Sequence, residues 1–232
     1  MPTLTYHGHA CFEVSTEDYN VIIDPWLTDN PQADVGPEEI DCRGILVTHG
    51  HSDHLGNALA IALKTNAQVV TTYELAQYFI DGGAERVHAM HIGGSHQFRF
   101  GWVKLTPALH GGGVAGDETG KYTCTPCGFL LNMDGKVIYH AGDTALSAEM
   151  ALIGRRNRIA CALLPVGDNY TMGIDDALEA VAMLKPKVVI PMHVNTFEFI
   201  QQDISSFPAK VRAKTKGKTK AVLLEPGDTY EV

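Results

Sequence analysis

Apolar positions fall along this chain in short runs whose period changes several times. Near the start, Leu4–Tyr6, Cys11–Ser15 and Val21–Asp24 read as strands, with turns at Gly8 and around Asp18. A loop rich in Pro, Asp and Gly, from Asp29 to Gly36, precedes the run Ile45-Leu46-Val47-Thr48, which reads as a buried strand. Leu55, Leu59, Ala60 and Leu63 then predict a helix with an apolar stripe. Gln68–Thr72 reads as a strand, and Tyr73–Ile80 as a helix stopped by Gly82-Gly83.

From Arg86 to Asp134 strand patterns dominate, among them Gln97–Phe100 and Val103–Pro107, interrupted by a loop at Gly111–Gly120. Lys136–His140 is a strand turned back through Asp134-Gly135. A helix is expected at Ala145–Arg155 and a buried strand at Ile159–Leu164, ending at Pro165. Ile174, Leu178, Val181, Ala182 and Met183 predict a helical face that must stop before Pro186. Lys187–Met192 is a strand, and the tail carries a basic helix and strands at Ala221–Leu224 and Thr229–Val232. No stretch reads as an interdomain linker, so the 232 residues are expected to form one domain with a full core.

A short internal echo accompanies this order. Ile45–Val47 leads to His49 as Val188–Ile190 leads, through Pro191-Met192, to His193. Val21–Ile23 ends at Asp24, and Val137–Tyr139 leads to Asp143. Two halves that each present polar groups from strand ends would build one site between two sheets.

Composition narrows the field. Hydrophobic content of 45% and charged content of 19% are ordinary for a soluble globular chain. Eighteen Lys and Arg against 27 Asp and Glu give a net charge of −9, which argues against a nucleic-acid partner. A small anionic substrate met by a local positive centre stays compatible. Met1-Pro2-Thr3-Leu4 carries no secretory pattern, and no apolar run is long enough to span a membrane. Five cysteines, at 11, 42, 124, 127 and 161, are expected as free thiols in a reducing cytoplasm. Cys124-Thr125-Pro126-Cys127 lacks a second ligand pair and borders a strand, so neither a zinc nor a redox role is expected for it.

The chemistry concentrates in His49-Gly50-His51-Ser52-Asp53-His54, three histidines and one aspartate within six positions at a strand end. The small residues Gly50 and Ser52 allow a turn that aims His49 and His51 to one side and Asp53 and His54 to another. Imidazole and carboxylate suit zinc and similar metals, whereas a merely solvated loop rarely has this composition. Three more candidates stand at strand ends: His110 before Gly111-Gly112-Gly113, Asp143 in His140-Ala141-Gly142-Asp143-Thr144, and His193 in Pro191-Met192-His193. Taken singly they read as a loop histidine, a helix N-cap and a core histidine.

His49-x-His51-x-Asp53-His54 followed in order by His110, Asp143 and His193 resembles the metallo-β-lactamase superfamily of binuclear hydrolases, over nearly the whole chain. The resemblance implies an α/β (α+β) fold, a four-layer αββα sandwich in a single domain over 1–232, with two divalent metals at one edge between the sheets. It implies His49, His51 and His110 on one metal, Asp53, His54 and His193 on the other, and Asp143 bridging both. Asp143 stands where the clinically familiar β-lactamases carry cysteine, which argues against antibiotic hydrolysis. His51 stands where diiron flavoproteins carry glutamate, which favours a hydrolytic pair. The added helical domain of the glyoxalase II type and the large insertion of messenger-RNA-processing nucleases are absent. Tyr6-His7-Gly8-His9-Ala10-Cys11-Phe12, Ile23-Asp24-Pro25-Trp26, Gly128-Phe129, Tyr139 to Thr144, Pro165-Val166-Gly167-Asp168 and Thr171-Met172-Gly173 resemble one branch. This is the small metal-dependent hydrolase family of bacteria and archaea related to the ascorbate-6-phosphate lactonases.

The expected chemistry follows. Two cations about 3.5–4 Å apart, zinc first with Mn2+ or Fe2+ compatible, would share a water and supply hydroxide at neutral pH. One of them would polarise the substrate oxygen. Asp53 is expected to orient the hydroxide, His9 to stand near the substrate, and Asp24 to fix a ligand histidine. Asp168 and Asn195 are lesser candidates. The first reading is a cytoplasmic hydrolase of a small lactone or other carboxylic ester. The others are a phosphodiesterase or nuclease of the same fold and a non-catalytic metal-site protein that binds a ligand. A homo-oligomer stays open.

Overall fold

Residues that alternate along single strands point to two different apolar layers, and that alternation organises the molecule. The computed structural model describes residues 1–232. One sheet holds β1 (Thr3–Tyr6), β2 (Phe12–Ser15), β3 (Asn20–Ile23), β4 (Gly44–Leu46), β5 (Gln68–Thr72) and β6 (Val87–Met90), with β14 (Thr229–Glu231) paired to β1 at its edge. The other holds β7 (Ser95–Phe98), β8 (Gly101–Pro107), β9 (Cys127–Met133), β10 (Lys136–His140), β11 (Ile159–Pro165), β12 (Val188–Met192) and β13 (Lys220–Ala221) in the order β13-β12-β11-β10-β9-β8-β7.

Val21, Ile23, Leu46 and Val70 of the first sheet meet Leu131, Ile138, Cys161, Leu163 and Ile190 of the second in one central cluster. Their neighbours Ile22, Ile45, Val47 and Val69 face outward, beneath α1 (Ser52–Leu55), α2 (Ala58–Thr65) and α3 (Tyr73–Asp81). On the far side Tyr139, Ala162, Leu164 and Val189 pack beneath α4 (Glu149–Arg156), α5 (Ile174–Leu184) and α6 (Phe207–Thr215). The layers are therefore αββα, as the resemblance implies. Strands covered on both faces read as unbroken apolar runs, and β11 is buried at every residue.

The parallel strands fix where chemistry can sit. β3 through β6 run parallel in the first sheet and β10 through β13 in the second. Asp24, His49, Asp143 and His193 all lie just beyond the carboxyl ends of such strands, the edge where parallel sheets present ligand-binding loops.

Several expected elements are corrected. The helix after Asp53 is two pieces, because Gly56, at φ 38°, turns the chain where a Cβ would lie 2.5 Å from Trp26 Cα. Its buried residues are Ala58, Ile61 and Ala62, while Ala60 and Leu63 are exposed. In α5 the covered face is Ala177, Ala180, Val181 and Leu184; small residues let it approach α4, where a Cβ on Gly154 would meet Leu184 O at 2.5 Å. Helix α4 starts only at Glu149, since Ala145 N–H bonds Leu109 O and Thr144 Oγ1 accepts from Leu109 N–H. The hairpin strand expected at Gln97–Phe100 is Ser95–Phe98, and the strand expected at Ala221–Leu224 is Lys220–Ala221.

Candidate metal centre

The side chains that sequence places far apart converge in space. His49, His51 and His110 bring one ligand atom each to within 4.8 Å of one another. Asp53, His54 and His193, together with His9, form a second such group. Asp143 Oδ2 joins them: it lies 3.4 Å from His110 Nε2, 3.2 Å from His54 Nε2 and 3.0 Å from His193 Nε2.

The turn after β4 does what its small residues allow. His49 lies just beyond the end of β4, His51 precedes α1, and α1 then projects Asp53 and His54 toward the second group. A Cβ on Gly50 would meet Val114 Cγ2 at 2.6 Å, so only glycine lets the loop after His110 lie so close. His193 has φ 53° and Asp24 φ 47°, left-handed backbone that Asp and His tolerate better than most residues and that clusters at functional sites.

Asp24, buried beneath the ligands, determines how two of them are protonated. Its Oδ1 accepts from Thr48 N–H at 2.8 Å, and its Oδ2 accepts from Thr48 Oγ1 at 2.7 Å and from His54 Nδ1 at 2.8 Å. When His54 is neutral its proton is therefore on Nδ1, and Nε2 then faces the site as a lone pair. The single hydroxyl proton of Thr48 goes to the carboxylate, so its oxygen must accept from His49 Nδ1, 2.9 Å away. His49 is thus also left with Nε2 free, as a metal ligand requires. Asp24 occupies the place expected of it.

Charge within the cluster is tightly balanced. Burial holds His49 well below its ordinary value, and also lowers His51 and His110. On His54 burial is outweighed by Asp143 and Asp24, which hold it well above that value. On His193 burial is outweighed first by Asp143, raising the imidazole to about 9. Burial would raise both carboxyls, but the neighbouring imidazoles, His193 first, hold Asp53 below the usual range, and the charges of His54 and His193 do the same for Asp143.

The residues fit divalent ions. His54 Nε2 and Asp143 Oδ1 are buried yet make no hydrogen bond, the condition that an ion among them would relieve. The donor set of imidazoles and carboxylates, without thiolate, suits zinc and its neighbours.

Other expected residues stand elsewhere. His9 is fully buried against Asp53, its Nε2 3.2 Å from Asp53 Oδ2 and its Nδ1 2.8 Å from Thr196 Oγ1. Asp168 and Asn195 are exposed and outside both ligand groups, each accepting a backbone hydrogen bond, from Asn169 and Gln202. Cys124 Sγ and Cys127 Sγ contact Gly112 O and Thr48 O, and all five thiols are free and buried, none in a ligand group. Sequence reading missed Thr48, Thr196, Gln32 and His140. His140 Nδ1 accepts from Gly142 N–H and its Nε2 bonds Ala10 O, which ties the Asp143 turn to the opposite sheet.

Known proteins are similar to this chain in sequence and fold. A family model, the Beta-lactamase superfamily domain, matches residues 3–193. A UPF0173 metal-dependent hydrolase of Pelotomaculum thermopropionicum is 51% identical over 230 residues, 99% of each chain. One from Desulfitobacterium hafniense is 50% identical over 230 residues, 97% of each chain. Igni18, a metallo hydrolase from the hyperthermophilic archaeon Ignicoccus hospitalis, superposes with a TM-score of 0.88 at 36% identity, covering 100% of this chain and 99% of its own.

Proposed function

Since the chain belongs to the β-lactamase superfamily, among its UPF0173 metal-dependent hydrolases, we propose that it hydrolyses a small lactone or other carboxylic ester at a pair of divalent ions, zinc foremost. The observation that carries the reading is Asp143 Oδ2, within 3.4 Å of imidazoles from both ligand groups. His49, His51 and His110 would hold one ion, and Asp53, His54 and His193 the other, with Asp143 shared. Bound there, such ions supply an acidified water and an electrophile for the scissile carbonyl.

The chain's own groups do the rest. Asp24 and Thr48 keep His49 and His54 in the ligating tautomer. Asp143 is 2% exposed and serves only as a ligand, whereas Asp53 is 24% exposed and can also accept a proton from the reacting water. Leu109 and Phe199 stand exposed beside the His110 and His193 loops, and they favour a substrate with an apolar substituent. The net charge of −9 counts against a phosphodiester polymer.

Elemental analysis of metal-loaded protein is expected to give close to two ions per chain, in keeping with two ligand groups. A panel of a lactone, a thioester and bis(nitrophenyl) phosphate should show turnover of the lactone, lost with chelator and restored by zinc. A ceiling of one ion, or turnover of the phosphodiester alone, would overturn the reading.

A further inference from the structure

His9 lies outside the ligand set assigned above, yet its hydrogen bonds leave it little choice of protonation. The Gln32 amide is oriented by Nε2, which donates to Val194 O at 3.3 Å. Its Oε1 then accepts both from His9 N–H at 3.0 Å and from Thr196 Oγ1 at 3.0 Å. The one hydroxyl proton of Thr196 is spent on Gln32, so toward His9 Nδ1, 2.8 Å away, the threonine oxygen can only accept. The proton of a neutral His9 is therefore on Nδ1, and Nε2 carries a lone pair.

That lone pair points at Asp53 Oδ2, 3.2 Å away and itself only an acceptor. Two lone pairs facing each other in a partly buried place repel, and a cation between them removes the conflict. A ring nitrogen of His9 lies within 4.8 Å of the ligand atoms of Asp53, His54 and His193, and Nε2 is the one facing Asp53. The arrangement also repeats one already described. Gln32–Thr196–His9 is built as Asp24–Thr48–His49 is, an acceptor taking the threonine proton and the threonine oxygen taking the imidazole proton.

The backbone holds the ring in place. His9 sits at φ 55°; its N–H is held by Gln32, and its carbonyl accepts from His193 N–H at 2.7 Å and from Tyr6 Oη at 3.3 Å. Gly8 makes this possible, since a Cβ there would lie 2.7 Å from Gln32 Cβ. Trp26 and Phe197 wall the ring at centroid distances of 5.1 and 5.6 Å.

We propose that His9 Nε2 is an additional ligand of the ion held by Asp53, His54 and His193, presented by the Gln32–Thr196 pair. The inference rests on the two-ion reading. The test is NMR of the full chain, labelled with 15N and loaded with 113Cd2+, together with cadmium affinities of two Thr196 variants. The expected spectrum shows a 113Cd coupling to His9 Nε2 and a proton on Nδ1. Thr196→Val removes the acceptor and should weaken the second ion by about 10–100-fold, the usual cost of losing such a partner. Thr196→Ser keeps the oxygen and should stay within a few-fold of the parent. Two bound cadmium ions with no coupling to His9, or a proton on Nε2, would overturn this inference alone, as would an unchanged affinity in Thr196→Val. Saturation at one ion would overturn the two-ion reading and this inference with it.

Discussion

Asp24 Oδ2 and His54 Nδ1 lie 2.8 Å apart, with both side chains completely shielded from solvent. Three donors converge on the one carboxylate: Thr48 N–H, Thr48 Oγ1 and the imidazole. Asp24→Asn leaves a single acceptor oxygen and turns an amide donor toward one of them. We expect affinity for the ion on His54 to fall about 10–100-fold. Chelator competition on the loaded protein reads this, and retention of parental affinity would show that His54 needs no such partner.

Metal loading should release protons at neutral pH. In the metal-free protein His54 is held well above its ordinary value and His193 at about 9, so both are charged at pH 7, and a ligating imidazole must be neutral. Calorimetry in two buffers of different ionisation enthalpy is expected to report net proton release on loading at pH 7. The same shift sets a stability window. The contribution of His193 is complete below its unfolded value of about 6.5 and is lost as pH rises through about 9. Metal-free protein should therefore lose thermal stability between those limits by more than loaded protein does. Equal losses in both forms, or zero proton release, would contradict this assignment of charge.

The sequence made four of the candidate ligands legible because a strand that runs into a glycine-spaced turn concentrates them between His49 and His54. The layers were legible for a related reason: strands covered on both sides must be apolar throughout, as β11 is. What stayed hidden were partners whose residue types are common anywhere. Thr48, Thr196 and Gln32 acquire meaning only from which atom donates to which, and Gln32 meets Thr196 across 164 residues. The faces of α2 and α5 were legible only in part: Leu59, Ile174, Leu178 and Met183 pack half-buried against the cores, whereas Ala58, Ala62, Ala177 and Ala180 carry the close contacts. His9 was legible as a candidate, but its burial against Asp53 depends on a backbone held from both sheets.

Asp53 offers the sharpest test of the proposed chemistry. Its Oδ2 faces His9 at 3.2 Å and His193 at 3.7 Å, while the side chain keeps 24% of its surface open. Asp143, by contrast, is enclosed by imidazoles and nearly without exposure. On the proposed reading Asp53, unlike Asp143, would serve both the ion and the reacting water. Asp53→Asn keeps the size and one oxygen, removes the charge and presents an amide donor. The variant should fold, because the position is in the short helix α1 at the sheet edge and not in any of the apolar clusters. Its kcat on the best ester substrate should fall by about 100-fold or more, the scale of losing an acid–base or orienting group. The measurement is made at saturating metal with occupancy verified, so that weaker binding does not account for the loss. If kcat then stays within a few-fold of the parent, Asp53 is a replaceable ligand, and the water must be oriented by another group.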